Sequence, residues 1–409
     1  MVAPGLRAQE RLRPKRQGTG PGQPGSRQVS TPFDCVVIGV GGFGSAALDH
    51  VASRGASVLG IERFGIAHDR GSSHGHTRVI RQAYFEHADY VPLLLDAYRL
   101  WDQLAADSDQ LLIDRCGLLL AGHPDGPAVS GTRQAAALHG LDLQDVSTQR
   151  LATDFPGFDI PDNFEAVWEE AGGYLFVEDA VAAHIQRAVG HGAVLQTGET
   201  VIEWTSRGDA IEVVTDRGRY QAGSLIVAPG SWVPGLLPGL PVSWDIVRKP
   251  LFWFPATTDQ YNRSSGAGVF FLETPGGEFY GFPSLDGETV KVAEHTAGVS
   301  VSDPLTVDRG VLSVDLPPLA EFLQSHMPGL ATDPTRHTVC LYTRTPDLNF
   351  IVDRHPEHSG VAIACGFSGH GFKFTPAIGR ILADLALEGR TEHSIEFLSA
   401  TRPGLLRSD

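Results

Sequence analysis

The chain has 409 residues, of which 42% are hydrophobic and 20% are charged, a composition typical of a globular protein with two or three domains. Its 47 Gly and 27 Pro residues remain below the share of about 25–30% that marks a low-complexity chain. No apolar run approaches the length of about 18 residues that a membrane span needs, and a net charge of -16 argues against nucleic acid as the main partner. Integral membrane, fibrous and disordered proteins are therefore excluded.

Residues 1–32 differ in composition from the rest of the chain. They are rich in Gly and Pro, contain no aromatic residue and carry six basic residues against one acidic residue. Such a segment has too little apolar surface to offset the entropy lost on ordering, so a disordered tail is predicted. It lacks the apolar stretch of a secretory signal, and four Cys residues are too few for a disulfide scaffold. We therefore expect a cytoplasmic protein.

A βαβ unit is predicted where the apolar sequence begins. The β-branched run Phe33–Ile38 is typical of a buried parallel strand, Ser45–Ala52 has helical character, and Ser57–Ile61 predicts the next strand. Residues 39–44, between the first strand and the helix, match the pattern G-x-G-x-x-G. This arrangement is the structural context that a dinucleotide-binding fingerprint requires.

The glycines of this fingerprint have separate physical tasks. Gly39 permits a tight turn, Gly41 lets the backbone approach a pyrophosphate, and Gly44 allows the helix to pack closely on the strand. Glu62 follows at the end of the second strand, where an acidic residue binds a ribose hydroxyl and disfavours a 2′-phosphate. The unit predicts dinucleotide binding but does not distinguish FAD from NAD.

The remaining sequence contains further helices and strands and no internal repeat. Helices are predicted at Val91–Leu104, Val177–Val189 and Thr375–Leu387, and strands at Val194–Gln196, within Ile202–Val214, and at Arg219–Ala222, Ser224–Ala228 and Val361–Cys365. Short aromatic strands separated by Gly, Pro and Asp turns fill Leu251–Glu294, which favours a mixed or antiparallel sheet. The predicted fold class is α/β, with a Rossmann-like dinucleotide-binding domain and a second, α+β domain on that sheet.

Three further motifs carry a resemblance to a known family. Residues 69–84 include Gly-Ser-Ser-His-Gly-His-Thr-Arg, residues 340–347 begin Cys-Leu-Tyr-Thr-Arg-Thr, and residues 366–374 read Gly-Phe-Ser-Gly-His-Gly-Phe-Lys-Phe. Together with the fingerprint, they make the chain from about Phe33 to Pro403 resemble the monomeric sarcosine oxidase family. That family includes N-methyltryptophan oxidase and L-pipecolate oxidase and lies within the D-amino-acid-oxidase-like flavoproteins.

The resemblance implies FAD, attached covalently through the sulfur of Cys340. A thiolate is the nucleophile suited to the electrophilic 8α-carbon of a flavin, whereas Cys35, Cys116 and Cys365 are expected to be buried apolar residues. No metal is expected. The residues implied to bind the cofactor are Gly39, Gly41, Phe43, Gly44, Glu62, Arg63, Ser72, Ser73, His74, Thr77, Arg78, Cys340, Gly369, His370, Gly371, Phe372 and Lys373.

The resemblance also implies a substrate site. The substrate-binding residues are Arg81, Lys373 and Tyr342, and the catalytic residues are Lys291, His295, Arg78 and Tyr280. A guanidinium and an ammonium can together hold a substrate carboxylate, which is the role implied for Arg81 and Lys373. Lys291 matches the lysine that promotes reaction with O₂. Lys249, one of only four lysines among 32 Lys and Arg residues, receives no role.

These residues predict a flavoprotein amine oxidase acting on CH–NH donors. It would oxidise the C–N bond of a secondary or N-methyl amino acid to an imine and reduce O₂ to H₂O₂, so its expected partners are a small amino acid and O₂, and a monomer is expected. Four alternatives stay open: a flavin-dependent dehydrogenase with another electron acceptor, an oxidase acting on a precursor in a specialised biosynthetic pathway, a nicotinamide-dependent dehydrogenase, and a flavin-binding protein without activity.

The resemblance further implies a discontinuous domain organisation. Residues 33–85, 150–232 and 330–403 would form the FAD-binding domain. Residues 86–149 and 233–329 would form the domain that holds the substrate and catalytic groups.

Overall fold

The structure is a computed structural model and describes residues 32–208 and 210–406. The predicted disordered tail therefore lies outside the described residues, apart from Pro32. The helices of this part are α1 (Gly42–Ser53), α2 (Tyr90–Ser108), α3 (Pro127–His139), α4 (Thr148–Asp154), α5 (Val177–Gly190), α6 (Val233–Leu236), α7 (Pro317–His326) and α8 (Thr375–Glu388). The strands are β1 (Phe33–Ile38), β2 (Val58–Glu62), β3 (Thr77–Ile80), β4 (Ile113–Asp114), β5 (Leu118–Gly122), β6 (Gln144–Val146), β7 (Glu165–Glu169), β8 (Gly173–Phe176), β9 (Val194–Thr197), β10 (Val201–Arg207), β11 (Ala210–Thr215), β12 (Arg219–Val227), β13 (Asp245–Pro255), β14 (Val269–Thr274), β15 (Gly277–Phe282), β16 (Thr289–Glu294), β17 (Val299–Ser300), β18 (Arg336–Arg344), β19 (Ile351–His355) and β20 (His358–Cys365).

An eight-stranded sheet forms the Rossmann-like half of the molecule. Its parallel core runs β20-β12-β1-β2-β9, while β10, β11 and β19 join it in antiparallel pairs. Helix α1 packs against both α5 and α8 on one face of this sheet. The alternate residues of β1 are buried on opposite faces, Val37 among the helices and Val36 in the second core, as a doubly covered parallel strand requires.

Three boundaries differ from the sequence prediction. The two strands predicted on either side of Gly223 are one strand, β12, whose first half pairs antiparallel with β11 and whose second half pairs parallel with β1 and β20. The stretch Ile202–Val214 is divided between β10 and β11, a hairpin. Helix α1 begins at Gly42 rather than Ser45 because the fingerprint turn itself starts the helix, despite the low helix propensity of glycine.

A nine-stranded mixed sheet forms the second half, as predicted. Its order is β17-β13-β16-β15-β14-β5-β7-β6, with β18 paired to β13; β5 and β14 are parallel and the other pairs are antiparallel. One face packs Phe252, Phe254 and Phe279 against α7. Because side chains alternate along a strand, the opposite face carries the odd-numbered positions of β13 and β16.

A small third sheet has the order β3-β8-β4 and carries Thr77 and Arg78 on β3. The predicted domain boundaries stay a prediction, although two strands within the segments assigned to FAD binding, β7 and β18, pair in the nine-stranded sheet. None of the helices in residues 32–208 and 210–406 combines the length and apolar character that a membrane crossing requires.

Candidate active site

A cavity of about 600 Å³ opens at the carboxyl ends of β1, β2 and β12 and extends to the nine-stranded sheet. This is where ligands bind in open parallel α/β sheets. The predicted residues that line it are Gly39, Gly41, Phe43, Gly44, Glu62, Arg63, Ser72, Ser73, Arg78, Arg81, Tyr280, His295, Tyr342, Gly369, His370, Gly371, Phe372 and Lys373. The other four, His74, Thr77, Lys291 and Cys340, are buried and do not line it.

Two glycines of the turn, Gly39 and Gly44, leave no room for a side chain. Gly39 has φ +81°, and a Cβ there would lie 2.4 Å from the carbonyl oxygen of Ala228. A Cβ on Gly44 would lie 1.8 Å from the carbonyl oxygen of Gly39. Gly41 is the N-cap of α1, so the first N–H groups of the helix have no acceptor within the helix; that of Gly42 donates to the Ser73 hydroxyl at 3.0 Å. The turn is therefore built as an anion-binding cradle.

Glu62 closes the same end of the cavity. Its carboxylate accepts hydrogen bonds from the N–H groups of Val40 at 2.9 Å and Phe64 at 3.0 Å, and it lies 3.3 Å from Nε2 of His68. Burial acts to raise the pKa of Glu62, but these hydrogen bonds and the His68 charge lower it overall. The carboxylate is thus ionised and fixed at the position where the sequence predicts contact with a ribose.

Cys340 lies among positive groups. Arg78 Nη2 donates a hydrogen bond to its sulfur at 3.0 Å, and His74 Nε2 lies 3.4 Å away. Burial acts to raise its pKa, but the charges of His74 and Arg78 lower the pKa of Cys340 to about 6. By contrast, burial raises the pKa of Cys35 to about 12 and that of Cys116 to about 11. Among the four cysteines, Cys340 alone is set up as a thiolate nucleophile.

Lys291 points from β16 toward β3. Its ammonium donates to the carbonyl oxygens of Gly75 at 2.8 Å and Thr77 at 2.7 Å and to the Thr77 hydroxyl at 2.8 Å, and it lies 4.1 Å from the centre of the Phe282 ring. These three acceptors use every N–H of an ammonium group. Burial, followed by the charge of Arg78, lowers the pKa of Lys291. The lysine is thus held one layer behind the cavity wall.

The two predicted carboxylate-binding cations share one aromatic ring. The guanidinium of Arg81 lies 4.2 Å from the centre of the Tyr84 ring, and Nζ of Lys373 lies 5.0 Å from it. Arg81 is ion-paired with Glu86, and Lys373 donates to the carbonyl oxygen of His370 at 2.7 Å. Burial and the Arg81 charge lower the pKa of Lys373 to about 7. Despite burial, Arg81 lowers the pKa of Glu86 to about 2.

Two tyrosines and a histidine on the cavity wall lie close together. The Tyr342 hydroxyl lies 3.5 Å from the Tyr280 hydroxyl and 3.4 Å from Nδ1 of His295. Burial, together with the Lys249 charge, lowers the pKa of His295 well below its usual range, so the imidazole is neutral at neutral pH. Tyr342 and Cys340 are two residues apart on β18 and point to the same face of the sheet.

Comparison with known proteins agrees with this geometry. Residues 34–385 match the family described as DAO, FAD dependent oxidoreductase. The chain belongs to this family. It is 38% identical over 379 residues to the monomeric sarcosine oxidase of Streptomyces avermitilis, an alignment that spans 91% of this chain and 98% of that protein. It is 34% identical over 374 residues to the N-methyl-L-tryptophan oxidase of Yersinia pestis, spanning 90% and 99%. The predicted resemblance is thus confirmed.

Solved structures place the chain in the same fold. It superposes on NikD, an unusual amino acid oxidase essential for nikkomycin biosynthesis, with a TM-score of 0.80 and 27% identity, covering 93% of this chain and all of that one. It superposes on L-proline dehydrogenase from P. horikoshii with a TM-score of 0.79 over 92% and 99% of the two chains; at 22% identity, that likeness concerns the fold alone. The predicted fold class is confirmed.

The cavity fits the FAD of this family. In the glycine cradle a side chain on Gly39 or Gly44 would collide with the backbone, and the carboxylate of Glu62 is fixed at its end. In addition, the indole nitrogen of Trp232, on the cavity wall, is buried without a hydrogen-bond partner in the described part of the chain. A buried donor without an acceptor is unfavourable, which indicates that a bound group supplies one.

Several residues of this site were not predicted from the sequence. Glu86 pairs with Arg81 on the cavity wall, Phe367 stacks on Phe43 at 3.6 Å between ring centres, and Trp232 faces the cavity. Phe367 lies inside a recognised motif, so its signal was present. Glu86 follows Arg81 by five residues in a loop, where no periodicity brings the two together. Within the described residues, no three His, Cys, Asp or Glu side chains gather as a metal site would require.

Proposed function

We propose that this FAD-dependent oxidoreductase oxidises the C–N bond of a secondary or N-methyl amino acid to an imine and passes the electrons to O₂, forming H₂O₂. The observation that carries the proposal is the pair of buried cations, Arg81 and Lys373, on the wall of a cavity that a neutral His295 also lines. The relatives named as sarcosine and N-methyl-L-tryptophan oxidases support it.

The carboxylate of the substrate would be held by Arg81 and Lys373. A planar guanidinium binds a carboxylate through two parallel hydrogen bonds, and an ammonium adds a third donor. Arg81 would exchange its ion pair with Glu86 for one with the substrate. Fixing the carboxylate orients the attached nitrogen and its neighbouring C–H, which is the main contribution a protein makes to such a reaction.

The nitrogen would lie toward Tyr342 and His295. A neutral imidazole does not repel the substrate nitrogen and can accept a hydrogen bond from its N–H; in this proposal the substrate reacts as the neutral amine. Bound FAD supplies the acceptor for the hydride equivalent removed from the C–H beside nitrogen. Lys291, held by Thr77 and Gly75, would place a positive charge near the site of O₂ reduction, where negative charge develops.

Covalent attachment of FAD through Cys340 is part of the same proposal. The thiolate is stabilised by Arg78 and His74, and it is positioned on the same face of β18 as Tyr342. The expected monomer and the cytoplasmic location stay predictions; the relatives named monomeric sarcosine oxidases favour the former.

A screen of secondary amino acids tests the function. Purified protein is mixed with sarcosine, N-methyl-L-tryptophan, L-pipecolate and L-proline, and both H₂O₂ release and reduction of an artificial dye are measured. We expect H₂O₂ with at least one of them. Dye reduction without H₂O₂ would identify a dehydrogenase, and protein without flavin colour would favour a nicotinamide cofactor. Flavin without turnover of any amino acid would contradict the proposal.

A further inference from the structure

Lys249 is a fully buried lysine without an assigned role. It lies on β13, directly opposite Cys340 of β18, and only 2% of it is exposed. Burying an ammonium is unfavourable unless partners replace water. In a chain with four lysines among 32 Lys and Arg residues, a buried lysine one strand from Cys340 requires an explanation.

The partners of Lys249 belong to the substrate wall. Its ammonium lies 2.9 Å from Oε2 of Glu294, donates to the carbonyl oxygen of Ala297 and lies 5.4 Å from the centre of the Tyr342 ring. Glu294 directly precedes His295 in the sequence. The ion pair therefore joins the Tyr342 ring, which Lys249 contacts, to the chain at His295, which follows Glu294, while neither Lys249 nor Glu294 lines the cavity.

Glu294 also fixes the turn that follows. Its carboxylate accepts hydrogen bonds from the backbone N–H groups of Thr296 at 2.6 Å and Ala297 at 2.7 Å. At Gly298, φ is +142° and a Cβ would lie 2.3 Å from Val247 Cγ1, so the turn packs directly on β13. The position of His295 is thus coupled to Lys249 through one carboxylate.

A second cation completes the arrangement. Arg344 lies 5.9 Å from the centre of the Tyr342 ring and donates to the carbonyl oxygen of Thr296 at 2.6 Å. The Tyr342 ring is therefore in contact with two cations, each of which is also bonded to the turn after β16. Cation–π contacts are stronger in a buried setting, so both cations stabilise the position of the Tyr342 ring.

We propose that the Lys249–Glu294 ion pair is a positioning element of the substrate site, which fixes the Tyr342 ring and the turn carrying His295 relative to each other. The inference rests on the proposed function, because it concerns the orientation of the substrate nitrogen. It separates two tasks: Arg81 and Lys373 bind the carboxylate, and the Lys249–Glu294 pair holds the groups that face the nitrogen.

The test uses the double variant Lys249→Met/Glu294→Gln in the holoenzyme. Removing both charges avoids an unpaired buried carboxylate, and the Gln oxygen still accepts from Thr296 and Ala297. We expect unchanged flavin content, an unchanged dissociation constant for furan-2-carboxylate (a carboxylate without an amine), and a limiting rate of flavin reduction lowered about tenfold or more. The conservative variant Lys249→Arg keeps the charge and should retain most of the wild-type rate of flavin reduction.

The matched control lies on the same strand. Arg248 precedes Lys249, points to the other face of β13 and forms an equally buried ion pair with Asp315 at 2.8 Å, away from the cavity. The variant Arg248→Met/Asp315→Asn should keep the wild-type reduction rate. Equal losses in both double variants, or a wild-type rate in Lys249→Met/Glu294→Gln, would overturn the inference.

A crystal structure of Lys249→Met/Glu294→Gln provides a readout independent of turnover. We expect the Tyr342 hydroxyl and His295 Nδ1 to separate from 3.4 Å to beyond hydrogen-bond distance. An unchanged distance would overturn this inference. Failure of every substrate to reduce the wild-type enzyme would contradict the proposed function, and the distance could still be measured. If the double variant does not fold, the same measurements are made on Glu294→Gln, in which the Tyr342–His295 distance should increase, and on Lys249→Arg, in which it should stay at 3.4 Å. An unchanged distance in Glu294→Gln would overturn the inference.

Discussion

Arg78 and Cys340 are joined by a hydrogen bond between two different sheets, with Nη2 of Arg78 3.0 Å from the sulfur. Arg78 comes from the short strand β3, and Cys340 comes from β18 of the nine-stranded sheet. The contact stabilises a thiolate at the boundary of the cavity, because a guanidinium keeps its charge in any protein environment. Formation of the reactive sulfur therefore depends on both sheets being assembled.

Replacing Cys340 with Ser should abolish covalent attachment of FAD. The hydroxyl of Ser is not ionised at neutral pH, so it lacks the nucleophile that Arg78 and His74 stabilise. We expect flavin to be released from Cys340→Ser by denaturant and to stay with wild-type protein after acid precipitation. Cys365→Ala is the control, because Cys365 is buried in β20 and its pKa is raised by burial. Flavin that remains attached in Cys340→Ser would show that the attachment residue is another one.

Replacing Lys291 with Met should separate the two halves of the reaction. The proposed role is to stabilise negative charge on oxygen, so reoxidation by O₂ should slow by about a hundredfold, while reduction by substrate changes far less. Stopped-flow absorbance of the flavin measures both steps. Lys291→Arg retains a charge beside Thr77 and should lose less. Equal slowing of both steps would contradict the role in oxygen activation.

Replacing Glu86 with Gln should strengthen carboxylate binding. Glu86 occupies Arg81 in the structure, and the Arg81 charge lowers its pKa to about 2, so it competes as an anion at every working pH. Removing its charge frees the guanidinium, and the dissociation constant of furan-2-carboxylate should fall about tenfold, which corresponds to about 1.4 kcal/mol. Titration of the flavin spectrum measures it. Weaker binding would mean that Glu86 orients Arg81 rather than competing for it.

Much of this site was predictable because it is encoded in short motifs. The residues of the glycine cradle and of the Gly366–Phe374 segment are contiguous in sequence, and the glycines that must lack a side chain, such as Gly39 and Gly369, are visible in these motifs. Cys340 and Tyr342 belong to one strand, so a spacing of two placed them on one face. The buried apolar runs of β1 and β20 likewise indicated parallel strands before any pairing was known.

The rest depends on contacts between segments distant in sequence. Lys249 and Glu294 are 45 residues apart and meet only because β13 and β16 pair side by side. The strand β12 could not be recognised as one element, since its two halves have different partners and Gly223 separates their patterns. The division of the chain between the two sheets also depends on contacts between distant segments. β18 lies in a segment predicted to bind FAD, yet it pairs with β13 of the nine-stranded sheet.

Carboxylate binding should depend on the ionisation of Lys373. Burial and the Arg81 charge lower the pKa of Lys373 to about 7, so the ammonium is present below this pH and is lost above it. Since only the charged form attracts an anion, affinity for furan-2-carboxylate should be highest below pH 7 and fall by about tenfold per pH unit above it, until the pKa of the complex is passed.

The variant Lys373→Met isolates this ionisation from its neighbours. Glu86 is ionised throughout the range, because its pKa is about 2, and His370 is neutral throughout, because burial lowers its pKa to about 4. Glu169 and Glu278, whose pKa values are each raised to about 7 by burial, change charge in the same window but do so in both proteins. Above pH 7, the affinity of the wild-type protein for furan-2-carboxylate should therefore fall more steeply than that of Lys373→Met. At low pH, the variant should bind this anion more weakly than the wild type. Identical slopes in the two proteins would assign the pH dependence to these two carboxyl groups and remove Lys373 from the carboxylate site.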